Sequence, residues 1–229
     1  EKTLTEMCMA GMNVARFNFS HSTYEEHEAR IAVVKKVREK LNIPIPIMLD
    51  TKGPEYRIKT FKDGKVFLKE GEVFAFTSDD ITGDEKKVSV NYKGLAPDLE
   101  KGDKILLNNG LLVFEVNETT DTDVICSVIV GGELSDRKSM SFPNKTLKQV
   151  YLSEQDKSDI KFGIEHDIDF IACSFVSCKQ DLLDVKAYLS EIGAKNIDII
   201  AKIENRTGVD NIEEICEECD GIMVARGDM

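Results

Sequence analysis

Five apolar stretches along the chain follow one pattern, because each is long enough for a buried strand and each is followed by polar residues. These stretches lie within residues 12–21, 45–49, 168–175, 199–204 and 222–225. Segments with apolar residues at helical spacing come between them, as at Ile31, Val34, Val37 and Leu41. Strands that alternate with helices in this way predict a parallel sheet.

Polar residues lie at the carboxyl end of nearly every predicted strand. The active sites of α/β barrels lie at that end of the strands, whereas a doubly wound sheet places its site at one switch point. The glycine fingerprint G-x-G-x-x-G of dinucleotide-binding sheets is absent from the sequence. We therefore predict an α/β fold built on a partial TIM-type (β/α)8 barrel, whose five strands belong to a longer protein.

The periodicity changes to that of β-structure in the middle of the chain. Asn109-Gly110 between two apolar runs is a strong hairpin signal, and residues 65–76 predict two short strands about a turn. We predict an inserted β-barrel-like domain at residues 55–149, with the barrel formed by residues 1–54 and 150–229. An insertion that follows a polar strand end is well placed to act as a lid.

Three predicted helices begin with a capping residue that is followed, three positions later, by a polar partner. These pairs are Thr23 with Glu26, Ser153 with Asp156, and Ser177 with Gln180. A further helix is predicted from about Gly208, with Val209, Ile212, Ile215 and Cys219 on its apolar side.

The composition of the chain limits the classes of partner it can bind and indicates its cellular compartment. A formal charge of −12 over 229 residues argues against nucleic acid or an anionic membrane as a general partner. The sequence has no run long enough to span a membrane and no signal-peptide pattern. Six cysteines without a framework spacing predict reduced thiols and a cytoplasmic location. Cys216 and Cys219 form a C-x-x-C without a second pair, which makes zinc or redox chemistry there an unfavoured alternative.

A candidate site follows from two neighbouring strand ends. Lys202 and Glu204 are two residues apart, so their side chains point to the same side of the strand. If the last strand is its neighbour, Asp228 and Glu204 come together as oxygen ligands beside the ammonium group of Lys202. Such a set suits a magnesium or manganese ion that also binds substrate oxygens. A buried Lys–Glu pair that caps the strand is the alternative interpretation of this segment.

Four motifs carry a resemblance to a known family. NVARFNFSH, DTKGPE followed by Tyr56 and Arg57, AKIEN and GIMVARGDM occur in that order, with the β-domain after the second. Together they resemble the pyruvate kinases essentially end to end. The resemblance implies transfer of a phosphoryl group from phosphoenolpyruvate to ADP, giving pyruvate and ATP in glycolysis. It also implies that further barrel strands and a C-terminal domain are missing here, so this truncated chain alone is expected to be inactive. A homotetramer is expected for the full-length protein.

The resemblance implies a role for each matching strand-end residue. Glu204 and Asp228 are similar to the ligands of Mg²⁺ or Mn²⁺, and Asp228 also lies among the substrate contacts. Lys202 is similar to the residue that stabilises the phosphoryl group in transfer, and Arg16 to the arginine that binds the phosphate. The backbone of Gly227 would approach the substrate carboxylate.

Monovalent-cation and nucleotide contacts are implied in the same way. The potassium ligands of the family are matched by Asn18, Ser20, Asp50 and Thr51. The nucleotide contacts are matched by Asn18, Ser20, His21, Arg57 and Lys138. Ser22 departs from the family pattern, because a glycine is usual at that position.

Glu55 predicts a requirement for potassium. In the family, members that need potassium have Glu after the Gly-Pro pair, and members that do not need it have Lys. An ammonium group could replace the missing cation, whereas a carboxylate favours recruiting one. The alternative is that Glu55 simply pairs with Arg57 or Lys52.

Two other functional interpretations remain open from the sequence. Another phosphoenolpyruvate-handling barrel enzyme could share the metal ligands, the lysine and the arginine. A fragment bounded in this way could also bind phosphate or metal without catalysing a reaction.

Overall fold

A computed structural model describes residues 1–143, 145 and 147–225. The first part of the chain contains α1 (Lys2–Met9), β1 (Ala15–Asn18), α2 (Tyr24–Leu41) and β2 (Ile47–Asp50). The middle part contains β3 (Lys65–Leu68), β4 (Val73–Thr77), β5 (Lys87–Ser89), α3 (Leu95–Asp98), β6 (Lys104–Leu107), β7 (Leu112–Thr119), β8 (Asp123–Val130), β9 (Gly132–Ser135) and β10 (Met140–Ser141). The last part contains α4 (Glu154–Glu165), β11 (Phe170–Cys173), α5 (Lys179–Glu191), β12 (Asp198–Ile203), α6 (Arg206–Asp210), α7 (Ile212–Cys216) and β13 (Gly221–Val224).

The chain divides into two compact units, the first of which comprises, of the described residues, Glu1–Pro54 and residues 151–225. Its sheet has the order β1-β2-β11-β12-β13, and every neighbouring pair is parallel. The five predicted strands and their parallel arrangement are therefore confirmed. The strand predicted within residues 12–21 is shorter than the apolar stretch, because ladder pairing with β2 covers Ala15–Asn18.

One face of this sheet packs against the helices through alternate residues of β1, β2, β11 and β12. On β12, Ile199, Ala201 and Ile203 are buried in the hydrophobic core of the unit. The predicted apolar stripe of α2 joins the same core through its buried residues Ile31, Val34 and Val37. The intervening residues of β12 therefore point to the opposite face, and Lys202 is one of them.

Helix caps agree with the sequence at two of the three predicted starts. The Thr23–Glu26 capping box begins α2, and the Ser153 side chain accepts a hydrogen bond from the backbone N–H of Asp156 to begin α4. The prediction that Ser177 caps α5 is wrong by one residue. Cys178 is the N-cap, because the carboxylate of Asp181 accepts hydrogen bonds from the backbone N–H groups of both Ser177 and Cys178.

The helix predicted from about Gly208 is two short helices instead of one. α6 ends at Asp210 and α7 begins at Ile212, with Asn211 between them. The side chain of Asn211 donates a hydrogen bond to the backbone carbonyl of Ser177 at 2.9 Å. This tertiary contact holds the polar residue at the break and gives a physical reason for the interruption.

The second unit, Glu55–Val150, contains a six-stranded sheet of order β10-β6-β7-β8-β4-β5 and a two-stranded sheet of β3 and β9. β6 and β7 form the antiparallel hairpin predicted at Asn109-Gly110. Two strands do occur within residues 65–76, but they are not partners, because β3 pairs with β9 and β4 lies between β8 and β5. The unit has its own core, which contains the mutually packed rings of Phe74, Phe76 and Phe114.

Two global features can be checked directly on the described residues. None of their helices has the length and apolar character needed to cross a membrane. All six cysteines carry free thiols.

Candidate active site at the carboxyl ends of the strands

Three strands of the first unit bring their polar ends to one region of the sheet. β1 and β2 pair in register so that Asn18 lies opposite Asp50. β11 connects β2 to β12, which ends at Ile203 and is followed by Glu204. Asp50 and Glu204 are 1% and 4% exposed, and Lys202 is 6% exposed, so all three ionisable groups are almost removed from water.

Lys202 is held by three oxygen atoms. Its Nζ lies 2.9 Å from Oδ1 of Asp50, 3.0 Å from Oε1 of Glu204 and 2.6 Å from Oγ of Ser174. An ammonium group has three donors, so each one has a partner in this arrangement. The predicted convergence of Lys202 and Glu204 is present, and Asp50 adds a second carboxylate that the strand spacing alone did not reveal.

Asp50 links two cationic side chains. Its Oδ2 accepts a 2.6 Å hydrogen bond from Nε of Arg16 and also contacts an Nη atom of the same guanidinium, while Oδ1 contacts Lys202. The side chain of Arg16 is 50% exposed, in contrast to the buried carboxylate. Part of the guanidinium fork is thus oriented by Asp50 and part of it is open to an anion.

Ser174 is a component of the site that the sequence analysis missed. Its hydroxyl lies 2.6 Å from the backbone carbonyl of Thr51 and 3.1 Å from Oδ1 of Asp50, in addition to its contact with Lys202. Because the carbonyl can only accept, the hydroxyl donates to Thr51 and accepts from Lys202. The signal available in the sequence was its position, directly after Cys173 at the carboxyl end of β11.

Glu204 has the chemistry of a hard-metal ligand. Its Oε2 accepts a 2.8 Å hydrogen bond from the backbone N–H of Phe175, which fixes the direction of the carboxylate. Phe175 has a φ of 57°, so a strained backbone conformation supports this contact. Carboxylate oxygen is the donor that Mg²⁺ prefers, and Mg²⁺ is commonly held by one or two carboxylates together with substrate oxygens.

Within the described ranges no group of three or more His, Cys, Asp or Glu side chains could hold a metal ion. The predicted residues Gly227 and Asp228 lie outside the described residues. The donor set formed by Glu204 therefore fits a divalent ion that takes several of its ligands from substrate and water.

The four candidate potassium ligands occupy the ends of β1 and β2. Oδ1 of Asn18 accepts a 2.9 Å hydrogen bond from the backbone N–H of Ser20. Oγ of Thr51 lies 3.1 Å from the backbone N of Ser174 and 3.3 Å from the carbonyl of Ala172. Thr51, at the start of the loop after β2, is thus tied to the carboxyl end of β11.

The loop after β2 is also tied to α4. Gly53 has a φ of 65°, and a Cβ atom there would lie 2.6 Å from the carbonyl oxygen of Ser174, so a larger residue does not fit. The backbone N–H of Gly53 donates to Oδ1 of Asp156 at 3.1 Å, and Oδ2 of that buried carboxylate lies 2.5 Å from Oγ of Ser153. The hydroxyl of Tyr151 donates to the same Ser174 carbonyl at 2.8 Å.

The candidate nucleotide contacts are divided between the two units. His21 is exposed in the loop after β1, and its backbone carbonyl lies 2.9 Å from Nε2 of His27. Arg57 and Lys138 belong to the second unit, where Arg57 forms an ion pair with Glu55 and a 2.6 Å hydrogen bond to the carbonyl of Arg137. The Glu55–Arg57 pair was one of the alternatives from the sequence, and it is present.

Two further observations bear on the chemistry of this region. Burial raises the pKa of the Cys173 thiol to about 12, so it remains protonated near neutral pH and is poorly suited to act as a nucleophile.

Ser22 has a φ of 75°, a left-handed conformation that glycine adopts without strain. The departure from the family pattern at this position therefore places a side chain on a backbone that favours glycine.

Comparison with known proteins agrees with this fold. The family model described as pyruvate kinase, barrel domain, matches residues 1–229. The chain is 45% identical over 230 residues to a pyruvate kinase of Clostridium perfringens, covering 100% of this chain and 48% of that protein. A pyruvate kinase of Clostridium acetobutylicum is also 45% identical, with 49% of its length covered, and one of Staphylococcus haemolyticus is 43% identical, with 39% covered.

The parallel sheet with polar carboxyl ends defines the protein as a partial α/β barrel, which confirms the predicted fold class. The chain belongs to the pyruvate kinase family. It spans about half the length, or less, of the curated relatives it matches.

Proposed function

We propose that the full-length protein is a phosphotransferase that moves the phosphoryl group of phosphoenolpyruvate to ADP, taking up a proton and giving pyruvate and ATP. The observation that carries this proposal is the buried ammonium group of Lys202 between Asp50, Ser174 and Glu204. Phosphoryl transfer depends chiefly on positioning and on stabilising charge at the transferred group, and a buried cation among fixed partners supplies both.

The test is a coupled assay for pyruvate, run with phosphoenolpyruvate and ADP on the full-length protein and on residues 1–229. We expect turnover by the full-length protein and none by this chain alone, because it spans about half of its relatives. No pyruvate from the full-length protein would favour a non-catalytic phosphate- or metal-binding protein. Turnover of phosphoenolpyruvate that does not need ADP would favour another enzyme class.

We assign the divalent-metal contact to Glu204 and, in the same role, Asp228. When bound there, Mg²⁺ or Mn²⁺ would supply positive charge that stabilises the negative charge of the substrate. Arg16 binds the phosphate with the exposed part of its guanidinium while Asp50 holds the other part. Lys202 stabilises negative charge on the phosphoryl group during transfer. We assign the contact with the substrate carboxylate to Gly227.

We assign ADP binding to residues from both units: Asn18, Ser20, His21, Arg57 and Lys138. We also propose that the second unit acts as a lid, since it is inserted into the chain after the polar end of β2. Exclusion of water by such a lid would protect the phosphoryl group from hydrolysis. We further propose a homotetramer in the cytoplasm, for which the six free thiols are the supporting observation on compartment.

Replacement of Ser174 by alanine is expected to lower kcat by about 10- to 100-fold, because hydrogen bonds to charged groups contribute about 1.5–3 kcal/mol. The KM for phosphoenolpyruvate should change little, since Lys202 keeps its two carboxylate partners. Ser174→Thr retains a hydroxyl and should recover part of the rate. Steady-state kinetics of the two variants, with Ser158→Ala on the exposed side of α4 as the control, measures the effect. An unchanged kcat in Ser174→Ala would contradict the positioning role.

Potassium dependence is the next expected result. We expect activity to fall about tenfold or more, equivalent to about 1.4 kcal/mol, when tetramethylammonium replaces potassium at constant ionic strength. The hard oxygens of Asn18, Ser20, Asp50 and Thr51 would hold the ion, whose charge helps to bind the substrate phosphate. Glu55→Lys should make the rate largely independent of potassium.

The Glu55→Lys variant also removes the ion pair between Glu55 and Arg57, so the effect of that loss has to be separated from the effect on potassium dependence. Loss of that ion pair alone would change the rate equally in both salts. The control is Glu118→Lys, the same charge change at an exposed position of the second unit. Equal wild-type rates in potassium and tetramethylammonium would show that no monovalent ion is needed.

A further inference from the structure

A cleft outside the strand-end site lies where the start of α2 meets α4. It has a volume of about 300 Å³, and the residues that line it are Phe19, Ser22, Thr23, Tyr24, Glu25, His27, Gln155 and Asp159. A water molecule occupies about 30 Å³ of liquid, so the cleft has room for a small organic molecule as well as water. None of the residues assigned above to substrate, nucleotide or metal is among these described lining residues.

His27, one of the residues that line the cleft, has a buried ring nitrogen without a partner among the described residues. The residue is 2% exposed, and its Nε2 lies 2.9 Å from the carbonyl of His21. Because a carbonyl can only accept, Nε2 is the donor in this contact, and in the tautomer with its proton on Nε2 the Nδ1 atom is an acceptor. Nδ1 has no hydrogen-bond partner among the described residues. A buried polar atom without a partner is uncommon and costs about 1–3 kcal/mol.

Asp159 has a carboxylate oxygen that also lacks a hydrogen-bond donor among the described residues. It is 2% exposed, and the hydroxyl of Tyr24 at 2.6 Å and the amide of Gln155 at 2.8 Å both donate to Oδ1. In the described part of the chain, Oδ2 accepts no hydrogen bond and no Lys or Arg forms an ion pair with Asp159. Burial raises the pKa of this carboxyl, and a cation bound beside it would have the opposite effect.

The surrounding groups favour a cation over an anion. Glu25 and Asp159 are acidic, and the described residues that line the cleft include no Lys or Arg. The guanidinium of Arg30 is engaged by Oγ of Ser22, a lining residue, to which it donates at 3.0 Å. The N-terminus of α2 attracts anions in principle, but its capping box already satisfies donors there. The aromatic faces of Phe19 and Tyr24 suit the carbon atoms and the charge of an organic cation.

We propose that this cleft is a binding site for a small primary ammonium compound, whose NH₃⁺ group donates to Nδ1 of His27 and Oδ2 of Asp159. A primary ammonium has three donors and a positive charge, which matches two unsatisfied acceptors and the acidic lining. Its carbon chain lies against the rings of Phe19 and Tyr24. The site is independent of the proposed phosphotransfer chemistry, because none of its ligand contacts belongs to that machinery.

The probe for this site is methylammonium, titrated into the full-length protein at a constant, high potassium chloride concentration. The melting temperature should rise with methylammonium as expected for a ligand of the folded state. Tetramethylammonium at the same concentration has no N–H donor and should have no such effect. Asp159→Asn should raise the apparent Kd about tenfold or more, since it removes the charge and keeps an acceptor for Tyr24 and Gln155. Glu165→Gln, an equal charge change on the exposed side of α4, should leave the Kd unchanged.

A crystal soak gives a second readout that does not depend on any variant folding. Crystals of the full-length protein with 2-bromoethylammonium should show anomalous bromine density in the cleft, beside the rings of Phe19 and Tyr24. Absence of that density, or equal stabilisation by methylammonium and tetramethylammonium, would overturn the proposal. So would unchanged methylammonium affinity in Asp159→Asn, or a preference of the cleft for sulfate. Turnover is not measured in either experiment, so their failure is distinct from failure of the proposed function.

Discussion

Lys202→Met in the full-length protein is expected to lower the turnover of phosphoenolpyruvate and ADP by about 10³-fold or more. Among the described residues, Lys202 is the one cation that contacts Asp50, Ser174 and Glu204 together, and the variant removes it. Methionine occupies a similar volume but cannot stabilise charge on a transferred phosphoryl group. Steady-state kinetics with the coupled pyruvate assay measures the loss.

The structure also predicts a stability cost for this variant, which the experiment must separate from the catalytic effect. Removal of Lys202 leaves the buried carboxylate of Glu204 without its cation, and loss of one partner of a buried pair costs about 3–5 kcal/mol. Arg16 still neutralises Asp50. Binding of Mn²⁺ and the circular dichroism spectrum of Lys202→Met should therefore be recorded beside its rate. Turnover within tenfold of wild type would exclude a role for Lys202 in phosphoryl transfer.

Glu204→Gln is expected to lower the affinity for Mn²⁺ by at least about 100-fold and the turnover by a comparable or larger factor. Glutamine has nearly the same shape, but it lacks the charge that attracts a divalent ion. If its amide oxygen still accepts from the N–H of Phe175, its NH₂ group faces the ammonium of Lys202, where an acceptor is required. The variant therefore disturbs both the proposed metal ligand and the orientation of Lys202.

Titration with Mn²⁺, followed by electron paramagnetic resonance of the free ion, measures the metal affinity directly. Asp198→Asn is the matched control, because it removes one carboxylate from the exposed beginning of the same strand, β12. High Mn²⁺ should partly restore the rate of Glu204→Gln and should leave the control unaffected. Wild-type metal affinity in Glu204→Gln would mean that the ion binds elsewhere.

Short-range patterns in the sequence were sufficient for most elements of the first unit. The apolar stretches predict its five strands, and the Thr23–Glu26 pair predicts the start of α2. These signals work because strand alternation and helix capping depend on residues that are close in the chain. The cap of α5 was misplaced by one residue because the choice between Ser177 and Cys178 depends on where the Asp181 carboxylate lies.

The sequence by itself determined which strand ends are polar and that Lys202 and Glu204 share one side of β12, since a two-residue period follows from strand geometry alone. Only the tertiary structure decided that Asp50 joins Arg16 to Lys202 and that Ser174 supplies the third acceptor. These contacts join residues 28 to 152 positions apart, so they depend on the order and register of the parallel strands. The cleft was likewise invisible in the sequence, because Tyr24 and Asp159 meet across 135 residues through the packing of α2 and α4. Residues close in the chain determine strand periodicity and helix capping. The partners of a buried charge are determined by the tertiary fold, because burial removes the charge from water and requires a partner inside the protein.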